Sequence, residues 1–262
     1  MRRHLHVFAL QLRVAALTLL QHRIDFVIDG VMGLFWSATA AVPLLVLFQT
    51  RRAVAGWSLP EALVVLGCFQ VLKGVLDGAI QPSLRHVVEQ IRDGTLDFTL
   101  IKPLDAQFMV STSRFAIWRA SDALGGLVML GWALQRVGHR PSPSAVGLAL
   151  LLLAAGLLIL YSTWIIVVSA AFFVMNVDEL SYLMTTIYDF GRWPASLFRG
   201  VLALVFTFVV PLALMTTYPA LALLGRLDVA HAGLALAVAG VFGLVGRGIW
   251  VRALGHYVGA GG

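Results

Sequence analysis

"PSPSAVGLALLLLAAGLLILYSTWIIVVSAAFFVMNV", Pro141 to Val177, contains no charged residue. A helix needs about twenty apolar residues to cross a hydrocarbon layer roughly 30 Å thick. This stretch is too long for one simple crossing and too short for two with a turn, so it predicts one tilted helix that projects past the bilayer. The rest of the chain agrees. Of 262 residues 60% are hydrophobic and 12% charged, with a mean hydropathy of +0.89, against about 25% charged in an average soluble protein. No soluble core could absorb that much apolar side chain, so the expected class is an all-α integral membrane protein.

A net charge of +6 and a pI near 10.1 do not make a nucleic-acid binder. The bases are nearly all Arg, scattered at the ends of apolar runs, where they suit topology and contact with acidic membrane lipids. The single cysteine, Cys68, lies in an apolar run and reads as a packed thiol with no disulfide and no cysteine-rich metal site.

Six spans are expected within a single domain covering 1–262: 24–48, 59–80, 115–134, 144–175, 201–218 and 230–251. Before them, residues 1–22 read as an interfacial helix, with Leu5, Phe8, Leu12, Ala16 and Leu19 on one side and His4, Gln11, Thr18 and His22 on another. Gln11 and Arg13 interrupt the apolar run, which argues against a signal peptide. Twelve bases then fall on the side of the N-terminus: Arg2, Arg3, Arg13, Arg23, Arg85, Arg92, Lys102, Arg114, Arg192, Arg199, Arg247 and Arg252. The other side has five, Arg51, Arg52, Arg136, Arg140 and Arg226. Both termini are therefore expected in the cytoplasm.

Residues 85–113 form the largest cytoplasmic loop. "LRHVVEQIRDG" extends the second span as a helix that Gly94 can end with a left-handed residue. "TLDFTLIKPL" then sets Leu96, Phe98, Leu100 and Ile101 beside Asp97 and Lys102, with Pro103 stopping regular structure. The loop could lie on the membrane surface, or its apolar side chains could dock in a groove on a soluble partner.

Catalytic signatures are missing. There is no GxxxxGK[ST] loop, HExxH or GxSxG, and neither Lys73 nor Lys102 follows a glycine, so no catalytic or metal site is expected. Charges inside the spans cost roughly 2.5–3.5 kcal/mol each on insertion scales. Lys73 with Asp77 and Arg119 with Asp122 have helical spacing for pairing, either structural or linked to transport. Between the fourth and fifth spans, Asn176 to Gly200 reads as an interfacial turn anchored by Tyr182, Tyr188 and Trp193, or as a second partner contact. Pro211 predicts a kink, and "TYPALALLG", Thr217 to Gly225, a short re-entrant cap.

"IRDGTLDFTLIKPLDAQF" (Ile91 to Phe108), "YDFGRWPASLFRGVLALVFTFVVPLALMTTYPALALLG" (Tyr188 to Gly225) and "WVRALGHYVGAGG" (Trp250 to Gly262) resemble the type-2 family of ATP-binding-cassette (ABC) transporter permeases. The similarity is greatest to the bacterial subfamily with a G-x-L-D-x-x-L-x-[KR]-P-L loop. The resemblance implies a six-span permease subunit in the bacterial inner membrane, acting as an exporter. It also implies a coupling helix around Val87 to Leu104, where Arg92, Asp93, Gly94, Leu96, Asp97, Phe98, Leu100, Lys102, Pro103 and Leu104 would meet a separate ATPase. Two ATPases would bind ATP and Mg, and a second permease, identical or homologous, would complete the complex; this chain itself would hold no cofactor. "ALGHY", Ala253 to Tyr257, departs from the family by lacking a second basic residue before the Tyr. The alternative from the residues alone is a stand-alone secondary transporter working through its embedded charges. A membrane-embedded lipid-modifying enzyme finds no clustered His, Asp or Ser site.

Overall fold

The computed structural model describes residues 2–21, 23–138, 140–173, 177–206 and 210–257. They are helical, and the one strand-like feature among them is an isolated bridge between Val54 and Trp57. Among the described residues four helices are long and apolar enough to cross a membrane: Gly30–Gln49, Leu59–Arg92, Pro143–Phe172 and Val229–Leu254.

The N-terminal helix forms as expected, as α1 (Arg2–Gln21), but it presents a different face. His4 and Phe8 pack together against the body, edge-on to Phe108 and Phe115 at 4.9 and 5.8 Å. Leu10, Val14 and Leu17 form the exposed apolar stripe. The side chains of Leu5, Thr18 and Leu19, and His22 altogether, lie outside the described residues.

The first expected span is two helices in line, α2 (Arg23–Thr39) and α3 (Val42–Gln49). Pro43 explains the break, because it cannot donate the backbone bond that would join the two. The second is continuous from α4 (Leu59–Val75) through a π-helical turn (Leu76–Ile80) into α5 (Gln81–Arg92). Ser58 and Glu61 open α4 with a reciprocal capping box. Proline again sets the irregularity: Pro82 has no N–H for the Gly78 carbonyl, which instead accepts the Ala116 N–H at 2.7 Å.

After the short helices α6 (Asp97–Leu100) and α7 (Ala106–Ser111), α8 (Ala120–Val137) runs along α4 in the most extensive helix pairing of the fold. Small residues make the seam. A methyl group on Gly126 would lie 2.8 Å from the Val71 nitrogen and 2.9 Å from the Gly67 oxygen, and one on Gly74 would lie 2.5 Å from the Ala123 nitrogen. Close backbone approach of this kind drives helix association where no hydrophobic effect operates. A second pair, α9 (Pro143–Ser169) and α13 (Val229–Leu254), completes the frame. Ser142 caps α9, which a 3₁₀ turn extends to Phe172, so the uncharged stretch forms one long helix.

The expected span 201–218 does not form as one helix. α11 (Val201–Leu204) is short, and Val210 and Pro211 precede a π-helical turn at Ala213–Thr217 and α12 (Tyr218–Leu223). At roughly 1.5 Å per residue, the eleven-residue apolar helix Ala213–Leu223 is about half the length a crossing needs. The segment that follows α4 along its length is instead α10 (Val177–Asp189) with the turns Phe190–Arg192 and Ala195–Leu197. It runs antiparallel to α4 and α5, with contacts at Gln81 to Thr185 (3.2 Å), Lys73 to Asp189 (3.0 Å), the stacked rings of Phe69 and Tyr188 (5.0 Å), and Trp57 to Ser196 (2.9 Å). Tyr188, expected as an interfacial anchor, is fully buried. Ser196 is thus bonded beside the start of α4, and Arg226 lies there too, paired with Glu61.

Candidate functional site: the loop after α5 and the charges beneath it

α5 ends as the sequence predicts. Gly94 sits at φ +66, its N–H donates to Ile91 O, and the Thr95 N–H reaches back to Gln90 O at 2.9 Å. That pair of bonds is a Schellman motif, with Asp93 as the C-cap. The chain then turns, and α6 raises its side chains in two directions. Leu96 has 0% exposure and belongs to the main core, Thr99 is buried and accepts a bond from Gln90 Nε2, and Leu100 packs against the core's edge. Phe98 and Ile101 stand out at 68% and 78% exposure, followed by exposed Lys102 and Pro103. Leu96 is therefore an internal anchor and not one of the outward apolar side chains the sequence grouped together. Asp97 and Leu104 are half-buried, and Arg92 and Asp93 are exposed.

The second half of the loop is clamped. Asp105 caps α7 by accepting the Phe108 N–H, and Arg247 of α13 donates to both of its oxygens, at 2.6 and 3.2 Å. Arg247 also donates to Gln107, whose amide donates to the Tyr161 hydroxyl of α9 (2.9 Å), a group shared with Ser111 at 2.7 Å. Burial opposes ionisation of Asp105, but the bonds from Arg247 and Phe108 together outweigh it and hold the carboxyl below the usual carboxylate range. On the other flank Tyr257, edge-on to Phe172 at 6.0 Å, is close enough to α6 that burial, with Asp97 nearby, pushes its hydroxyl above the usual tyrosine range. The loop thus joins α5, α9, α13 and the tail. From sequence Arg247 counted only as a cytoplasmic base, and Gln107 and Tyr161 were not singled out.

Both expected charge pairs are present. Lys73 lies 3.9 Å from Asp77, and Arg119 3.4 Å from Asp122. The sequence did not foresee Asp189, which bridges Lys73 at 3.0 Å and Arg192 at 3.3 Å. Lys73, Arg119, Asp122, Asp189 and Arg192 share a groove of about 420 Å³ with Trp36, Phe69 and Gln70. Among the described residues no group of His, Cys, Asp and Glu could hold a metal ion.

The chain is thus a helical bundle with four helices, among the described residues, long and apolar enough to cross a membrane, and with the loop after α5 bonded to two of its long helices. The family described as ABC-2 family transporter protein matches residues 34–261, and the chain belongs to it. It is thus a multi-pass membrane permease component of an ABC transporter, a family whose ATPase is a partner protein. No curated protein and no solved structure matches the chain.

Proposed function

We propose that this permease is the membrane half of a bacterial exporter and that residues 85–113 are its coupling element. Two ATPase subunits would engage it and a second permease, identical or homologous, in the inner membrane. ATP and Mg would stay with the ATPases. The observation that carries the reading is the division of labour in α6: Leu96 and Thr99 fix the turn to the core, while Phe98 and Ile101 project without cover. An element that transmits force must be rigid on its own side and adhesive on the other. Six crossings fit the same reading, with 177–197 as the fifth, 198–225 re-entrant from the outer side, and both termini in the cytoplasm.

The test is copurification. An anchor in an apolar cleft typically costs about 2 kcal/mol or more of binding when truncated. Phe98→Ala should release the ATPase from a permease that remains folded, and Asp97→Asn should weaken it only slightly and in a salt-dependent way. Full ATPase recovery with Phe98→Ala and loss with Asp97→Asn would reject apolar docking.

A further inference from the structure

Where α4 passes into α5, a cavity of about 570 Å³ opens at the head of the loop. Asp77 of the π-helical turn Leu76–Ile80, a type of irregularity frequent at functional sites, belongs to its lining. One wall is α5 and the other is the segment leading into α8. Two tethers hold these walls together. The fully buried Ser83 hydroxyl donates to Arg114 O at 2.6 Å and accepts the Arg114 N–H at 3.1 Å, and Ala116 is bonded to Gly78. Arg114 and Arg85, the latter two residues along α5 from Ser83, both line the cavity.

The charges lining this cavity do not balance. Lys73 is matched by Asp77 and Asp189 and Arg119 by Asp122, while Glu89, 3.3 Å from the His86 imidazole, is one carboxylate set against two further arginines. The guanidinium groups of Arg85 and Arg114 remain, both lining the cavity, and among the described residues neither has a hydrogen bond or ion pair. Lys102 is exposed, as Arg85 and Arg114 are, but it lies outside this cavity. Two unpaired cations in one recess repel each other unless an anion lies between them. A guanidinium offers a planar fork of donors that matches phosphate oxygens two at a time. A carboxylate can satisfy one fork; a terminal phosphate has enough oxygens for both.

We propose that this cavity binds a terminal phosphate group, carried either by the transported solute or by a lipid of the adjacent leaflet. The inference rests on the permease reading for its place at the cytoplasmic border of the membrane, where an exporter would meet its cargo. The binding chemistry stands on the two arginines alone.

Native mass spectrometry of the full chain in detergent tests it, with dioleoylphosphatidic acid as probe and dioleoylphosphatidylcholine and oleate as references. Phosphatidic acid should be retained at least about tenfold better than either. Arg85→Gln combined with Arg114→Gln should bring it down to the phosphatidylcholine level. The paired lysine substitutions should retain an intermediate amount, and Arg51→Gln with Arg52→Gln, at the other end of the molecule, should behave as wild type. Added inorganic pyrophosphate separates the sources: displacement of the lipid with appearance of a pyrophosphate adduct assigns the site to a soluble phosphate, and retention assigns it to the lipid. Equal retention of phosphatidic acid and phosphatidylcholine by the wild type, which depends on no variant folding, would overturn the proposal. So would oleate retained as well as phosphatidic acid, or undiminished retention by the double Gln variant. ATPase is not needed for any arm, so failure of the coupling reading would appear in copurification and not here.

Discussion

Residues 85–113 and residues 177–223 both interrupt the long apolar helices, and they differ in what their charged groups face. In the first, Asp93 and Lys102 face solvent, although Asp105 is answered by Arg247 of α13, and punctuation local to the chain sets the shape: Gly94 ends α5 and Asp105 starts α7. In the second, Asp189 and Arg192 face Lys73 and the ring of Phe69, so their polarity is answered by another helix. The apolar piece that follows, Leu212 to Thr217, is buried in protein near Gly156 and Gly191. Hydropathy thus reports the surroundings of a segment and not its path. A polar segment can run the length of α4 and an apolar one can turn back.

The comparison breaks most completely on topology. With Cys68→Ala as background, a cysteine at Arg199 should label from outside intact cells together with one at Arg52, and a cysteine at Asp97 should not. Charge counting places Arg199 with Asp97. Labelling of Arg199 only after permeabilisation would restore 201–218 as the crossing and refute the fifth span proposed above.

Much of the first region was legible for this reason. Membrane class, the long helix after Pro141, the helix ending at Gly94 and both i,i+3 and i,i+4 charge pairs follow from composition or local spacing. The path of 177–197 was not legible, because its partners are distant in sequence: Phe69 for Tyr188, Trp57 for Ser196 and Thr217 for Ala195. Nor could the sequence divide Leu96 from Phe98. Both are apolar residues in one short turn, and only the packing of α6 decides which points inward.

That division gives the next largest effect. Leu96→Ala removes a fully buried side chain, a change that typically costs about 2–5 kcal/mol, whereas Phe98→Ala removes an exposed one and should leave the thermal midpoint within about 1 °C of wild type, since surface changes rarely exceed about 0.5 kcal/mol. Equal destabilisation by the two variants would mean that α6 lacks an inner and an outer face.

Lys73 tests the second region. Its side chain and that of Asp189 are about one-third exposed, so their pair should fall between the 0–1 kcal/mol of open surface pairs, on the order of a screened contact, and the roughly 3–5 kcal/mol lost when a buried pair is broken. Lys73→Met should destabilise by about 1–2 kcal/mol, and adding Asp189→Leu should recover part of the loss. Strict additivity of the two in a thermal-denaturation cycle would show that Asp189 does not hold 177–197 against α4.

The smallest effect is the pH dependence of the loop clamp. Asp105 has its carboxyl held below the usual range, so the folded state binds its proton less readily than the unfolded chain does. The stabilisation is therefore fully present above the unfolded value, about 3.9 for an aspartate, and is lost as pH falls through the lower folded value. Exposure of both partners limits the pair to under about 1 kcal/mol. Asp105→Asn should lower the thermal midpoint slightly at neutral pH, and the gap to wild type should close as the solution is taken below pH about 4. Arg247→Gln should show the same closing gap, because it removes the bonds that hold the carboxyl ionised. A gap that stays constant through that range would mean that Asp105 acts through its cap on α7 alone, leaving α13 joined to the loop only through Gln107.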